Sequence, residues 1–113
     1  MAELSHYSFG SLTVDGERHT RDLIVLPDRV VTEWWRREGH SLAIDDLDEV
    51  IDELPDRLIL GCGAHGRLEP PPAVLEQLRA RGVEVEAMPT TEAVRRYGEL
   101  DPKRTAAALH LTC

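Results

Sequence analysis

A nine-residue stretch, Leu58-Ile59-Leu60-Gly61-Cys62-Gly63-Ala64-His65-Gly66, constrains the fold of this chain more than any other. An apolar run of strand length ends in three glycines within six residues, and a helical pattern begins after Pro70-Pro71-Pro72. A strand that hands over to a helix through a glycine-rich turn is the building unit of an α/β protein. The carboxyl ends of such strands are where ligands settle.

The segments around this stretch extend the pattern. His6 to Phe9 reads as a short strand ending at Gly10, and Leu12-Thr13-Val14 alternates before the hairpin signal Asp15-Gly16. Leu23-Ile24-Val25-Leu26 is a compact apolar strand stopped by Pro27. Val30 to Trp35 is β-branched and aromatic, the composition of a pleated, half-buried surface, and Gly39 closes it. From there helices and strands alternate. Asp45 or Asp46 caps a helix to about Glu53, with Leu47, Val50, Ile51 and Leu54 on one face and Pro55 as the stop. A strand over Arg57–Gly61 leads to a helix opened by Pro71 and Pro72, striped by Val74, Leu75 and Leu78, and ended by Gly82. A strand over Val83–Met88 precedes a helix capped by Thr90 or Thr91 and lined by Ala93, Val94, Tyr97 and Leu100. Thr105 to Leu111 is the last strand. Helix-connected strands favour a parallel or mixed sheet.

With 113 residues, one domain over 1–113 is expected. It has only five aromatic residues, so Leu, Val, Ile and Ala must fill its core. The formal net charge is -8 and there is one lysine, Lys103. A nucleic-acid surface needs clustered cations to displace counterions, so neither nucleic acid nor an anionic membrane is the expected partner. No apolar run approaches the roughly 20 residues of a membrane span. The beginning of the chain has neither a basic-then-apolar signal nor an Arg-rich transit pattern. Two cysteines, Cys62 and Cys113, fit a reducing compartment, with Cys113 on a frayed end. The expectation is a cytoplasmic protein, and the Arg-, Ala- and acid-rich composition suggests a GC-rich bacterial genome.

Several pieces together carry a family likeness. They are Ser8-Phe9-Gly10, Trp35, Leu60-Gly61-Cys62-Gly63, Gly82-Val83-Glu84-Val85 running into Thr91-Glu92-Ala93-Val94 and Tyr97, and the ending His110-Leu111-Thr112-Cys113. Through them the chain resembles the Mth-nine-three-eight-like domain family, a domain of unknown function. Its relatives include an adipogenesis-associated protein and a mitochondrial complex I assembly factor. The resemblance implies a three-layer α/β fold, with a mixed central sheet, helices and an extra N-terminal β layer. It implies no catalytic residues and no cofactor.

Four groups of residues carry possible chemistry. The loop of Gly61, Cys62, Gly63, His65, Gly66 and Arg67 could cradle an anion on its amides, with Arg67 pairing a carboxylate or phosphate. The bland alternative is that its glycines make a tight turn and let strand and helix pack closely. The loop matches neither the dinucleotide fingerprint nor the P-loop, and three prolines remove amide donors just beyond it. Cys62 beside His65 could be an activated thiol, or simply a small buried hydrophobe. Cys62, His65, His110 and Cys113 are zinc-ligand types, but the two pairs lie far apart in sequence. Trp34-Trp35 are strand neighbours and so face opposite ways. One would enter the core while the other met a partner, with Arg36, Arg37 and His40 as a rim, unless both rings are buried between layers. The acidic run from Asp45 to Asp56 is the wet side of its helix, because the EF-hand spacing is absent.

Together these features favour a non-catalytic interaction or assembly module. It would contact a protein partner or a second copy through Trp34, Trp35 and Arg36. The alternative is a small-molecule or anion-binding protein, or an enzyme, using the Gly61–Arg67 loop with Cys62 and His65.

Overall fold

The computed structural model of the chain describes residues 3–113. Strands β1 (Leu4–Ser8), β2 (Ser11–Val14) and β3 (Glu17–His19) form an antiparallel sheet. Asp15 and Gly16 turn β2 into β3 with φ of 50° and 84°, the two left-handed residues that a tight hairpin demands. A five-stranded sheet follows, in the order β5 (Val30–Val31), β4 (Leu23–Val25), β8 (Thr105–His110), β6 (Arg57–Cys62), β7 (Glu84–Met88). β6 runs parallel to both β7 and β8, whereas β4 is antiparallel to β8 and β5. The sheet is therefore mixed.

Side-chain alternation splits the apolar residues of this sheet between two cores. Ile24, Leu58, Leu60, Cys62, Ala106 and Ala108 face one way, toward Val74 and Leu78 of helix α1 (Pro72–Ala80) and toward Trp34, Leu42, Leu47 and Val50. Leu23, Val25, Ile59, Ala107 and Leu109 face the other, toward Ala93 and Tyr97 of helix α2 (Thr90–Gly98) and Leu12 and Val14 of β2. The hairpin sheet and α2 thus share one face, giving the three layers. A sheet covered on both faces must be apolar throughout, which is why Leu58-Ile59-Leu60 is a continuous run and is wholly buried. Each such side chain contributes about 1.5–3 kcal/mol through burial.

Two segments depart from the sequence expectation. Residues 45–53 form no α-helix but two 3₁₀ turns, Ile44–Leu47 and Ile51–Glu53. The Asp46 carbonyl, which would accept the amide of residue 50, instead receives Trp34 Nε1 at 2.8 Å. The Val50 amide turns to the Leu47 carbonyl at 2.9 Å. The Asp46 carboxylate also accepts the Ala43 and Arg37 amides, a local competition that favours turns over helix. Leu47 and Val50 are buried all the same. The expected strand over 30–35 stops at Val31. Glu33 has φ of 53°, which breaks extended pairing, and the Trp34 amide donates to the Asp22 carbonyl at 2.8 Å.

Candidate functional site

β6 leads through α1 to β7 on one side, and β7 leads through α2 to β8 on the other side of β6. The carboxyl ends of β6 and β8 therefore flank the point where the strand order reverses, where α/β sheets open a ligand crevice. Here the chain's own residues 112–113 take that place. The Ala64 amide donates to the Thr112 carbonyl at 2.7 Å, and the Arg67 amide to the Cys113 carbonyl at 3.3 Å. The end of the described chain is therefore gripped rather than frayed. Gly63, with φ of +96°, lies so close that an added Cβ would meet the Thr112 oxygen at 2.7 Å.

The amides of Gly63, Gly66 and Leu68 are also used internally. Gly63 donates to Thr90 Oγ1 at 2.8 Å, and that hydroxyl donates to the His110 carbonyl at 2.6 Å. Gly66 donates to Gly63 and Leu68 to Cys62. Gly61 admits α2, since a Cβ there would meet Leu109 at 2.8 Å and Thr90 Oγ1 at 3.0 Å. Gly61 and Gly63 thus serve close packing, and the helix that Gly61 admits is α2 rather than the one that follows it in sequence. His65 and Arg67 stand exposed. Cys62 faces the α1 core, its thiol 3.8 Å from the Leu60 carbonyl, and no hydrogen bond joins it to His65 or His110. Burial pushes the Cys62 thiol above its ordinary value, the opposite of an activated nucleophile. Among the described residues no three His, Cys, Asp or Glu side chains converge on a metal position. The four zinc-type residues do not form a site.

A different cluster occupies this end of the sheet. Asp22 stands just before β4, in register with His110 at the end of β8. Its Oδ2 receives Arg36 Nη1 and lies 2.8 Å from His110 Nδ1, while its Oδ1 accepts the Leu111 amide at 2.8 Å. Burial pushes the Asp22 carboxyl up, but the hydrogen bonds from His110, Leu111 and Arg36 outweigh it and hold it below its ordinary value. An ionised carboxylate at this distance places the proton on His110 Nδ1. Arg36 Nη2 lies 3.0 Å from the same nitrogen, which then has no lone pair to offer it. Arg36 Nε has no partner either. The guanidinium, 5% exposed, is thus left with a single acceptor and lies 4.8 Å over the Trp34 ring, a cation–π contact. Arg36 is not the solvent-facing rim residue that its sequence neighbourhood suggests. It is the buried centre of this cluster.

Beside the cluster lies a groove of about 400 Å³, walled by Thr20, Arg21, Asp22, Glu33, Trp34, Trp35, Arg36 and Thr112. Trp34 is 7% exposed and Trp35 73%, so the pair splits between core and solvent. A second hollow of about 390 Å³, toward the far end of α2, is lined by Glu3, Asp15 and Tyr97 and by no basic side chain.

The family model described as Protein of unknown function (DUF498/DUF598) matches residues 4–110. The chain belongs to this family. Among solved structures, the DUF498/DUF598 fold seen here is similar to a conserved hypothetical protein from Pyrococcus horikoshii OT3. That protein is 28% identical, with 97% of this chain and 98% of that one covered and a TM-score of 0.81. The protein MT938 is 30% identical over the full length of both chains, with a TM-score of 0.77. A Mth938-like domain from Bordetella pertussis shares the fold at 23% identity, with 97% of this chain and 85% of that one covered and a TM-score of 0.78. The Mth-nine-three-eight likeness read from the sequence therefore holds. DUF498/DUF598 is defined without an activity, so the site of this member rests on its own geometry. Sequence reasoning missed Asp22, which acts 88 residues from His110. The available signal was an acid at the mouth of a wholly apolar strand.

Proposed function

We propose that this DUF498/DUF598 member is a protein-interaction domain whose contact surface is centred on Trp35. The observation that carries this reading is an indole 73% exposed on a segment pinned from beneath. Trp34 Nε1 is bonded to the Asp46 carbonyl, and Arg36 is held by Asp22. A large aromatic presented on a fixed backbone loses little freedom on binding, which is what interface anchors require. The other exposed large apolar side chain among the described residues, Phe9 at 59%, supports the same end. Its neighbour Gly10 donates to the Leu111 carbonyl, and Thr112 walls the Trp35 groove. The kinship with an assembly factor read from the sequence points the same way. The Gly61–Arg67 loop supports a ligand role less well, because the amides of Gly63, Ala64, Gly66 and Arg67 are spent inside the fold.

The test replaces Trp35 with the photo-crosslinking residue p-benzoylphenylalanine in the native host, with the exposed Gln77 of α1 as a control position. A discrete adduct at position 35 and none at 77 is the expected result. A product of twice the chain mass identifies a second copy, and any other mass a different partner. No adduct at 35, or the same products from both positions, removes the proposal. Trp35→Ala should leave stability within about 0.5 kcal/mol, as for other exposed sites, so a lost adduct does not reflect unfolding.

A further inference from the structure

The groove beside Trp35 has a chemical character that the protein-contact reading does not use. Its charged groups divide into spent and unspent. Asp22 is spent, since both its oxygens already accept hydrogen bonds from Arg36, His110 and the Leu111 amide. Arg21, also on the wall, is exposed and forms no ion pair among the described residues. The guanidinium of Arg36, 95% buried by its 5% exposure, keeps an Nε–H with no acceptor. That atom is shielded from the groove, so the cation a ligand there can reach is the exposed Arg21 guanidinium. The positive side of the groove that is open to a ligand is therefore Arg21.

The other walls narrow the ligand further. Trp35 offers an open indole face, which suits an apolar or aromatic body. Glu33, which forms no ion pair among the described residues, adds one negative charge to the wall and sits at φ of 53°, a conformation that a non-glycine residue holds at a cost and that concentrates at binding sites. A second negative charge on the ligand would meet Glu33, so phosphates and dicarboxylates are disfavoured. The volume of about 400 Å³ lies within the range of small-molecule sites.

We infer that this groove binds a small organic monocarboxylate. The acid sits at Arg21, and the apolar body lies along Trp35.

The experiment titrates purified protein, at an alkaline pH where phenylphosphonate is doubly ionised, with phenylacetate, its neutral amide phenylacetamide, and that dianion, following the two indole N–H resonances by NMR. Trp34 Nε1 is bonded to the Asp46 carbonyl and serves as the internal control. Phenylacetate should shift the Trp35 resonance saturably and more than that of Trp34. Losing one charge-assisted hydrogen bond weakens binding about tenfold or more, and the amide should show that loss. Phenylphosphonate should also be weaker, and Glu33→Gln should recover it. Arg21→Gln, an exposed and structurally silent change, should bring phenylacetate down to the level of the amide. No saturable shift at Trp35, equal binding of acid and amide, or acid binding unaltered in Arg21→Gln would each overturn the inference. The readout needs no protein partner, so its failure and that of the photo-crosslinking test are separable.

Discussion

A methyl group is the smallest side chain that glycine lacks, and at Gly63 it has nowhere to go. The backbone there is left-handed at φ +96°, and the new carbon would press on the Thr112 and Cys113 backbone. Left-handed geometry costs an L-residue about 1–2 kcal/mol and overpacking another 1–3 kcal/mol. Gly63→Ala should therefore lower unfolding free energy by about 2–5 kcal/mol, measured by denaturant titration. An alanine at Gly16, a hairpin position with nothing within 4 Å, should bear only the backbone part. A loss at Gly63 no larger than at Gly16 would show that residues 112–113 are not packed there. The same contrast separates the two readings that the glycine loop allowed in sequence. A glycine kept for an anion would face open space, whereas this one faces the chain itself.

Among the elements, those bounded by agreement between periodicity and breakers were legible. The strand expected over Val83–Met88 is β7 at Glu84–Met88, and the proline-opened helix is α1 at Pro72–Ala80. The segments around Trp34 and Asp46 were not, because one side-chain bond and two carboxylate-to-amide bonds override local propensity there. The candidate site was only half legible. Trp35 shows itself by composition, but the Asp22–Arg36–His110 cluster joins three remote segments, and Arg36 beside Arg37 reads like any wet arginine. That cluster makes an element-level prediction. Asp22 fastens the start of β4 to the end of β8 and to the tryptophan segment, with its carboxyl held below the ordinary value of about 3.9. A depressed carboxyl adds stability that is present above the unfolded-state value and lost as pH falls through the folded-state value. Asp22→Asn should be less stable than the parent by about 2 kcal/mol at neutral pH. The gap should narrow once pH drops below about 4. A gap independent of pH would mean that the charge of Asp22 contributes nothing.

At the scale of the whole molecule, two cores lie back to back across one sheet, and Cys62 belongs to the α1 core while Cys113 is half-buried. With the thiol buried and its ionisation suppressed, alkylation of Cys62 must wait for the sheet to open. Under iodoacetamide, Cys113 should react first, and Cys62 should be modified at a rate that tracks denaturant-induced unfolding. Rapid labelling of Cys62 in native buffer would contradict this architecture. The order of the strands has a consequence for synthesis. β8, which comes after every other strand along the chain, occupies the slot between β4 and β6. Until the ribosome has delivered residues 105–110, neither core has a floor. β4 and β6 must wait with unpaired edges, the condition in which nascent chains recruit the wrong neighbours. Both cores therefore close together, and only once residues 105–110 have been delivered to the slot between β4 and β6.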